Sequence, residues 1–331
     1  MRCAVIGAGA WGTALADLLA RNGHDVQLWA REPDVVESIN GARENRRFLA
    51  GAALAPSLRA TGEMGRALDD GPELIAYAAP SHVLRAVVGQ ARRYVAGTPV
   101  VAVATKGIEP ETLAVMTDVA RQELPTARVV ALSGPSFAAE VAARQPTAIV
   151  AASDDAEAAR VAQDAFSGDT FRVYTHDDVI GVELGGSLKN VIAVATGIAE
   201  GLGLGHNPRA ALITRGLAEI SRLGVALGAQ PATFAGLAGL GDLVLTCTGG
   251  LSRNRSVGIE IGRGATLEAV LAGRETVAEG VTTARSALAL ARREGVQMPI
   301  VEAVCKVLFD NFAAWRAIAE LMGRELRAER D

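Results

Sequence analysis

The sequence predicts an α/β protein in two parts, a parallel-sheet domain over residues 1–180 and an all-helical domain over residues 181–331. Two observations carry that reading. Up to about residue 180, short β-branched and aliphatic runs alternate with alanine- and leucine-rich amphipathic stretches, the rhythm of a parallel sheet covered on both faces. Beyond that point the strand signals stop, and apolar residues recur with a period near 3.6, as in RAALITRGLAEISRLGVALG and ARSALALARREG.

Taken in order, strands are expected near residues 3–6 (CAVI), 25–29 (DVQLW), 73–78 (ELIAYA), 99–104 (PVVAVA), 128–132 (RVVAL), 146–151 (PTAIVA) and 170–175 (TFRVYT). Helical patterns fill most of the gaps. VIAVATGIA, Val191–Ala199, reads as a buried helix that falls short of the roughly 18 apolar residues of a membrane span. The terminal RELRAERD reads as a solvated helix tail.

Composition narrows the function. A formal charge of −4 supplies no excess of positive charge for a phosphate backbone, so nucleic-acid binding is not expected, and any anion must be held locally. Cys3, Cys247 and Cys305 stand far apart with no metal-ligand or CxxC spacing; they read as reduced thiols in a cytoplasmic protein that holds no metal. No segment has the order of a signal peptide, and no membrane insertion is expected.

The first strand runs into GAGAWG. Gly7, Gly9 and Gly12 at the strand-to-helix turn match the GxGxxG context of a Rossmann-type dinucleotide site. In that reading Gly7 permits the turn, Gly9 lets backbone N–H groups approach a pyrophosphate, and Gly12 lets helix pack on strand. At the end of the second strand, where NAD-selective proteins place a carboxylate, LWAR places Arg31, which suits a 2′-phosphate. NADP(H) is therefore expected, with NAD(H) left open because Glu32 follows.

Ligands of open parallel sheets sit beyond the carboxyl ends of the strands, and those ends here read APSH, ATKG and SGPS. Among 33 basic residues only Lys106, Lys189 and Lys306 are lysines, so lysine marks positions where arginine, always protonated, would not serve. Lys106 and Lys189 lie in small apolar surroundings; Lys306 reads as solvent-reaching, and His82 as a structural hydrogen-bonder rather than an acid or base. Gly185 and Gly186, one turn before Lys189, either make room for ligands or pack helices.

The segments GAGAWGTALA, VATKGIE, SGPSFAAEV, GVELGGSLKNVIAVATGI, ALITRGLAEISRLG, LAGLGDLVLTCTGGLSRNRSVG and VAEGVTTA span nearly the whole chain, and together it resembles the bacterial NAD(P)-dependent glycerol-3-phosphate dehydrogenases. The resemblance implies reduction of dihydroxyacetone phosphate to sn-glycerol 3-phosphate for glycerophospholipid synthesis. It makes Lys189 the proton donor or acceptor, and places Lys106, Gly134, Ser136, Asp242, Ser252, Arg253 and Asn254 at the substrate. Ala10, Trp11, Arg31, Phe48, Lys106, Ala138, Arg253, Val277 and Glu279 match or approximate cofactor positions. The loop NRRFLAG departs from the family pattern, with Ala50 where proline is common and Phe48 where tyrosine is frequent. A homodimer through the helical domain fits the reading without following from it. Alternatives that share the glycine loop are a β-hydroxyacid-type dehydrogenase, which would not need SRNRS, and a non-catalytic NADP(H) sensor, which would not need Lys189; a scaffold needs neither.

Overall fold

The computed structural model describes residues 1–69, 71–272, 278–326, 328 and 329. Eight strands, β1 Arg2–Ile6, β2 Asp25–Trp29, β3 Arg59–Thr61, β4 Leu74–Tyr77, β5 Val100–Val103, β6 Arg128–Ser133, β7 Thr147–Ala152 and β8 Phe171–His176, form one sheet in the order β3-β2-β1-β4-β5-β6-β7-β8. The helices are α1 Ala10–Arg21, α2 Pro33–Ala42, α3 Met64–Ala67, α4 Leu84–Ala91, α5 Met116–Glu123, α6 Ala138–Ala142, α7 Ala156–Phe166, α8 Val179–Gly201, α9 His206–Ala226, α10 Asp242–Thr248, α11 Arg253–Gly262, α12 Leu267–Leu271, α13 Glu279–Arg293, α14 Pro299–Phe309 and α15 Ala314–Met322. The order reverses between β1 and β4, the switch point at which a doubly wound sheet opens a crevice.

All seven expected strands form within one residue of their expected ends. The eighth, β3, is three residues of Arg-Ala-Thr, too short to show an alternation; the Asn40 side chain, which donates to the Ala60 carbonyl (2.8 Å) and accepts from its N–H (2.9 Å), holds it. The sheet also departs from the expected all-parallel form, because β7 pairs antiparallel with β6. A parallel return is usually made by a helix long enough to recross the sheet, and the link here, residues 134–146, contains only the five-residue α6.

The central strands are buried on both faces, as their aliphatic runs require. Val5, Leu28 and Ala76 face a core closed by α1, α2 and α7, while Ile6, Ile75 and Val101 face one closed by α3, α4 and α5. Burial pushes the Cys3 and Cys247 thiols up to about 12 and Cys305 up to about 11, so all three are unreactive.

Past the sheet, α8 forms the axis of a third core, with α9, α10, α11 and α13 packed around it. The helix extends well beyond Val191–Ala199 and by length and composition alone could cross a membrane, but 89% of its most apolar window is buried inside the protein, the buried helix expected from its sequence. Against α11 the packing is backbone to backbone. A Cβ added at Gly197 would lie 2.2 Å from the Arg255 carbonyl oxygen, and one at Gly258 2.2 Å from that of Val194.

Three polar clasps fasten the sheet's loops to the helices. Ser187 Oγ accepts from Gly107 N–H (2.8 Å) and donates to its carbonyl (3.1 Å). Glu279 accepts from Ser81 N–H (3.0 Å) and from its hydroxyl. Glu183 accepts from Thr117 N–H (3.0 Å), at the start of α5, and from its hydroxyl. Burial raises the Glu183 carboxyl to about 7. A raised carboxyl holds its proton in the fold at pH values where the unfolded chain has released it, so its contribution to stability is present at low pH and lost as pH rises through about 7. Glu183→Gln keeps an acceptor without the charge. The melting temperature of the variant minus that of the wild type should therefore rise between pH 5.5 and pH 8.5, and a flat difference would show that Glu183 does not titrate in the fold.

Candidate active site

The glycine loop has the geometry that its spacing requires. Gly7 has φ +111°, and a Cβ there would lie 3.0 Å from backbone atoms of Ala78 and Ala79. A Cβ at Gly12 would lie 1.8 Å from the Gly7 carbonyl oxygen, so only glycine lets α1 pack here, whereas a Cβ at Gly9 would meet nothing within 4 Å. Gly9 caps α1 with no side chain bonded to the helix N-terminus, leaving that end and its approach to an anion. These features fit the pyrophosphate of a dinucleotide. Ala10 and Trp11, half-buried, begin α1 beside it.

Asn45, fully buried, donates to the Ala8 carbonyl (2.9 Å) and to Thr13 Oγ1 (2.8 Å), and accepts from Phe48 N–H (3.1 Å). It fastens the Phe48 segment to the glycine loop without the proline missing at Ala50. Arg31 stands two residues past β2, its side chain 81% exposed and paired with Glu32 at 2.7 Å. Glu32 is thus engaged by Arg31. Ala138 opens α6 against α1, and Glu279 is tied to Ser81 as described; Val277 lies outside the described residues.

Across the crevice, Asp242 joins the two lysines singled out by composition. One carboxylate oxygen accepts from Lys189 Nζ; the other accepts from Lys106 Nζ at 2.6 Å. Asp242 is 1% exposed and Lys189 7%, and Lys189 also donates to Thr246 Oγ1 at 2.9 Å. Burial lowers the Lys189 ammonium to about 8, against the opposing pull of Asp242. A lysine so placed is charged at neutral pH yet close to releasing its proton. The carboxylate is delivered by a π-helical turn, Leu237–Gly241, directly before α10, an irregularity found at functional sites. Gly134, at φ +145° with Ile149 too close for any Cβ, turns its carbonyl toward Lys106 Nζ (3.4 Å) and accepts from Ser136 Oγ (3.0 Å). Gly185 and Gly186 are filled by protein, the Ala238 carbonyl and the Ser133 hydroxyl lying 2.6 and 2.4 Å from their added Cβ positions, so their role is packing.

SRNRS does open a helix. Ser252 is the N-cap of α11, its hydroxyl accepting from Arg255 N–H at 3.2 Å. Asn254, buried, donates to Asn190 Oδ1 (2.9 Å) and accepts from Gly280 N–H (2.9 Å). The hydroxyl and the amide are thus used by the fold, whereas Arg253 makes no side-chain hydrogen bond among the described residues; partial desolvation lowers its guanidinium pKa, against the opposing pull of the Glu279 carboxylate. Because Asn254 meets Asn190, the positive end of α11 lies level with Lys189's own neighbour. Lys306 is elsewhere, on α14, bonded to Glu320 at 3.1 Å. His82 is exposed beside Ser81. Thr246, Asn190, Asn45, Ser81 and Ser187 were not singled out from the sequence; only Thr246, one turn after Asp242, and Asn190, next to Lys189, carried a signal in their spacing.

A glycine-loop Rossmann sheet joined to a helical cluster that presents a buried lysine defines a nicotinamide-dinucleotide-dependent oxidoreductase. The chain matches the family models described as NAD-dependent glycerol-3-phosphate dehydrogenase N-terminus, over residues 2–159, and C-terminus, over residues 178–319. It is 55% identical over 332 residues to the glycerol-3-phosphate dehydrogenase [NAD(P)+] of Geobacter sulfurreducens, covering 99% of both chains. The protein of that name from Citrifermentans bemidjiense is 53% identical over 331 residues, with 99% of this chain and 98% of the relative covered. The crystal structure of glycerol-3-phosphate dehydrogenase from Coxiella burnetii superposes with a TM-score of 0.94 at 39% identity, covering 98% of this chain and 99% of that one. The chain belongs to the NAD(P)-dependent glycerol-3-phosphate dehydrogenase family.

Arg31→Ala should weaken NADPH binding by ~1.5–3 kcal/mol, the range of a charged hydrogen bond, and leave NADH binding nearly unchanged. Titration of both cofactors checks this, and equal losses would remove Arg31 from cofactor selection.

Proposed function

We propose that this chain reduces dihydroxyacetone phosphate to sn-glycerol 3-phosphate with NADPH or NADH, and that Lys189 gives the proton. The observation that carries the reading is the Asp242 carboxylate shared by Lys189 and Lys106, on a helical cluster where α11 presents its positive end. Gly7, Gly9, Gly12 and the start of α1, with Ala10, Trp11, Arg31, Phe48, Ala138 and Glu279 around them, would hold the nicotinamide dinucleotide, which when bound would supply the hydride for the C2 carbonyl.

The protein's part is charge and position. Lys189 stabilises the developing alkoxide and transfers a proton to it, while Asp242 and Thr246 hold its Nζ in place. Lys106, tied to Asp242 and the Gly134 carbonyl, holds a second positive charge beside the same oxygen, with Ser136 near it. Arg253 and the α11 N-terminus, capped by Ser252 and braced by Asn254, receive the dianionic phosphate. Residues 1–180 supply most of the cofactor site and also bring Lys106 and Ser136 to the substrate, while residues 181–331 carry Lys189, Asp242 and Arg253 and return Glu279 to the cofactor side. The protein works in the cytoplasm, supplies glycerophospholipid synthesis, and pairs through its helical part as a homodimer.

Mixing purified protein with NADPH and dihydroxyacetone phosphate should deplete the nicotinamide absorbance, and no depletion with either cofactor would reject the reading. The donor form of Lys189 is the ammonium, so turnover in the direction of reduction should fall as pH rises through about 8, and oxidation of glycerol 3-phosphate should rise over the same span. Lys189→Arg keeps the charge but cannot release its proton, and should lower turnover by about two to four orders of magnitude with NADPH affinity retained. If more than about a tenth of turnover survives, the proton comes from elsewhere, and Lys106 is next.

A further inference from the structure

The second arginine of SRNRS has a different job from the first. Arg255 is turned away from solvent, its side chain 14% exposed, and grips Glu200 near the end of α8 through Nε at 3.0 Å and Nη2 at 2.6 Å to each carboxylate oxygen. Its Nη1 reaches the carbonyl of Gly249, the C-cap of α10, at 3.5 Å. One guanidinium therefore touches α8, which carries Lys189, and the end of α10, which carries Asp242, while sitting in the first turn of α11, two residues from Arg253. Glycine packing fixes how near α11 lies to α8, and the Asn254–Asn190 hydrogen bond (2.9 Å) ties the two at one point beside Lys189, but smooth glycine surfaces give little resistance to rotation or sliding about that single point. A bidentate pair, with its fixed planar geometry, does.

We propose that Arg255, through Glu200, is a positioning residue for the phosphate end of the substrate: it sets α11 along α8 so that Arg253 and the helix N-terminus stand at a fixed reach from Lys189 Nζ. The proposal rests on the phosphate reading given above. It makes the ion pair a determinant of affinity for the phosphate end, separate from the proton transfer. Glu200 also accepts from Arg209 of α9 at 2.9 Å, so substitution at Glu200 disturbs two joints, and Arg255 is the cleaner position to vary.

The test compares Arg255→Gln, Arg255→Lys and, as a control at the other joint, Arg209→Gln. With NADPH saturating, Arg255→Gln should raise KM for dihydroxyacetone phosphate, and the inhibition constant of inorganic phosphate competing with it, by about tenfold or more, while kcat stays within about threefold. Arg255→Lys, which keeps the charge and loses the fork, should fall between the two, and Arg209→Gln should match the wild type. Should Arg255→Gln fail to fold, Arg255→Lys decides the matter. Unchanged KM and inhibition constant, or a fall in kcat with both unchanged, would overturn the positioning role. Calorimetric titration of inorganic phosphate into the NADPH complex separates the two readings. A wild type that binds phosphate but does not turn over dihydroxyacetone phosphate sinks the proposed substrate, whereas phosphate binding equal in the wild type and Arg255→Lys sinks the role of Arg255.

Discussion

Helix α8 is buried on nearly every face from Val179 to Ala199, and a polar side chain on such a helix needs a partner from some other element. Read along its length, all but Thr196, whose hydroxyl donates to the Ala193 carbonyl of the same helix, reach a different part of the protein. Glu183 takes the start of α5, Ser187 the loop after β5, Lys189 the first residue of α10, Asn190 the first turn of α11, and Glu200 the guanidiniums of Arg209 and Arg255. The sheet and the outer helices are thus registered against one rod. The buried Lys189, proposed above as the proton donor, is one step in this series, and its carboxylate partner serves as its counter-charge and as the link to Lys106. Removing one member of a buried pair leaves the other charge without compensation, which costs several kcal/mol, so the site and the fold share the same bonds.

Much of this was legible in the residues, and the reasons differ from place to place. The strands were found because runs such as VVAV and LIAY have no polar residue to spare, and Gly7 and Gly12 were assigned because their roles are steric and local. The two lysines joined by Asp242 stood out only because arginine is written almost everywhere else. β3 left no trace because three residues hold no period, and the antiparallel β7 was hidden because periodicity reports faces, not direction. Asn45, Ser81 and Ser187 were invisible for a further reason. Each bonds to a residue distant in sequence, and nothing in its own neighbourhood announces the partner.

SRNRS shows the limit within a single motif. The sequence offered a hydroxyl, a guanidinium and an amide as an anion cluster. In the fold the hydroxyl caps the helix, the amide joins Asn190 to Gly280, and Arg253 alone presents its side chain outward. Spacing identified the place but could not divide the labour, because that division is decided by what packs against the first turn of α11. The resemblance to a family named the residues; only the three-dimensional contacts separate those that face a ligand from those that hold the ones that do.

The seam between α8 and α11 also bears on how such a protein is able to change. At Gly197, Gly201, Gly258 and Gly262 an added methyl group would lie within 2.3 Å of a carbonyl oxygen on the facing helix, so none of the four admits even alanine without prising the helices apart. Substitution at this interface therefore has no gradual route. The freedom lies instead just ahead of it, at Gly250, where an added Cβ meets nothing within 4 Å, and at the neighbouring Leu251, which is 53% exposed: the loop that leads into α11 can vary while the seam behind it stays frozen.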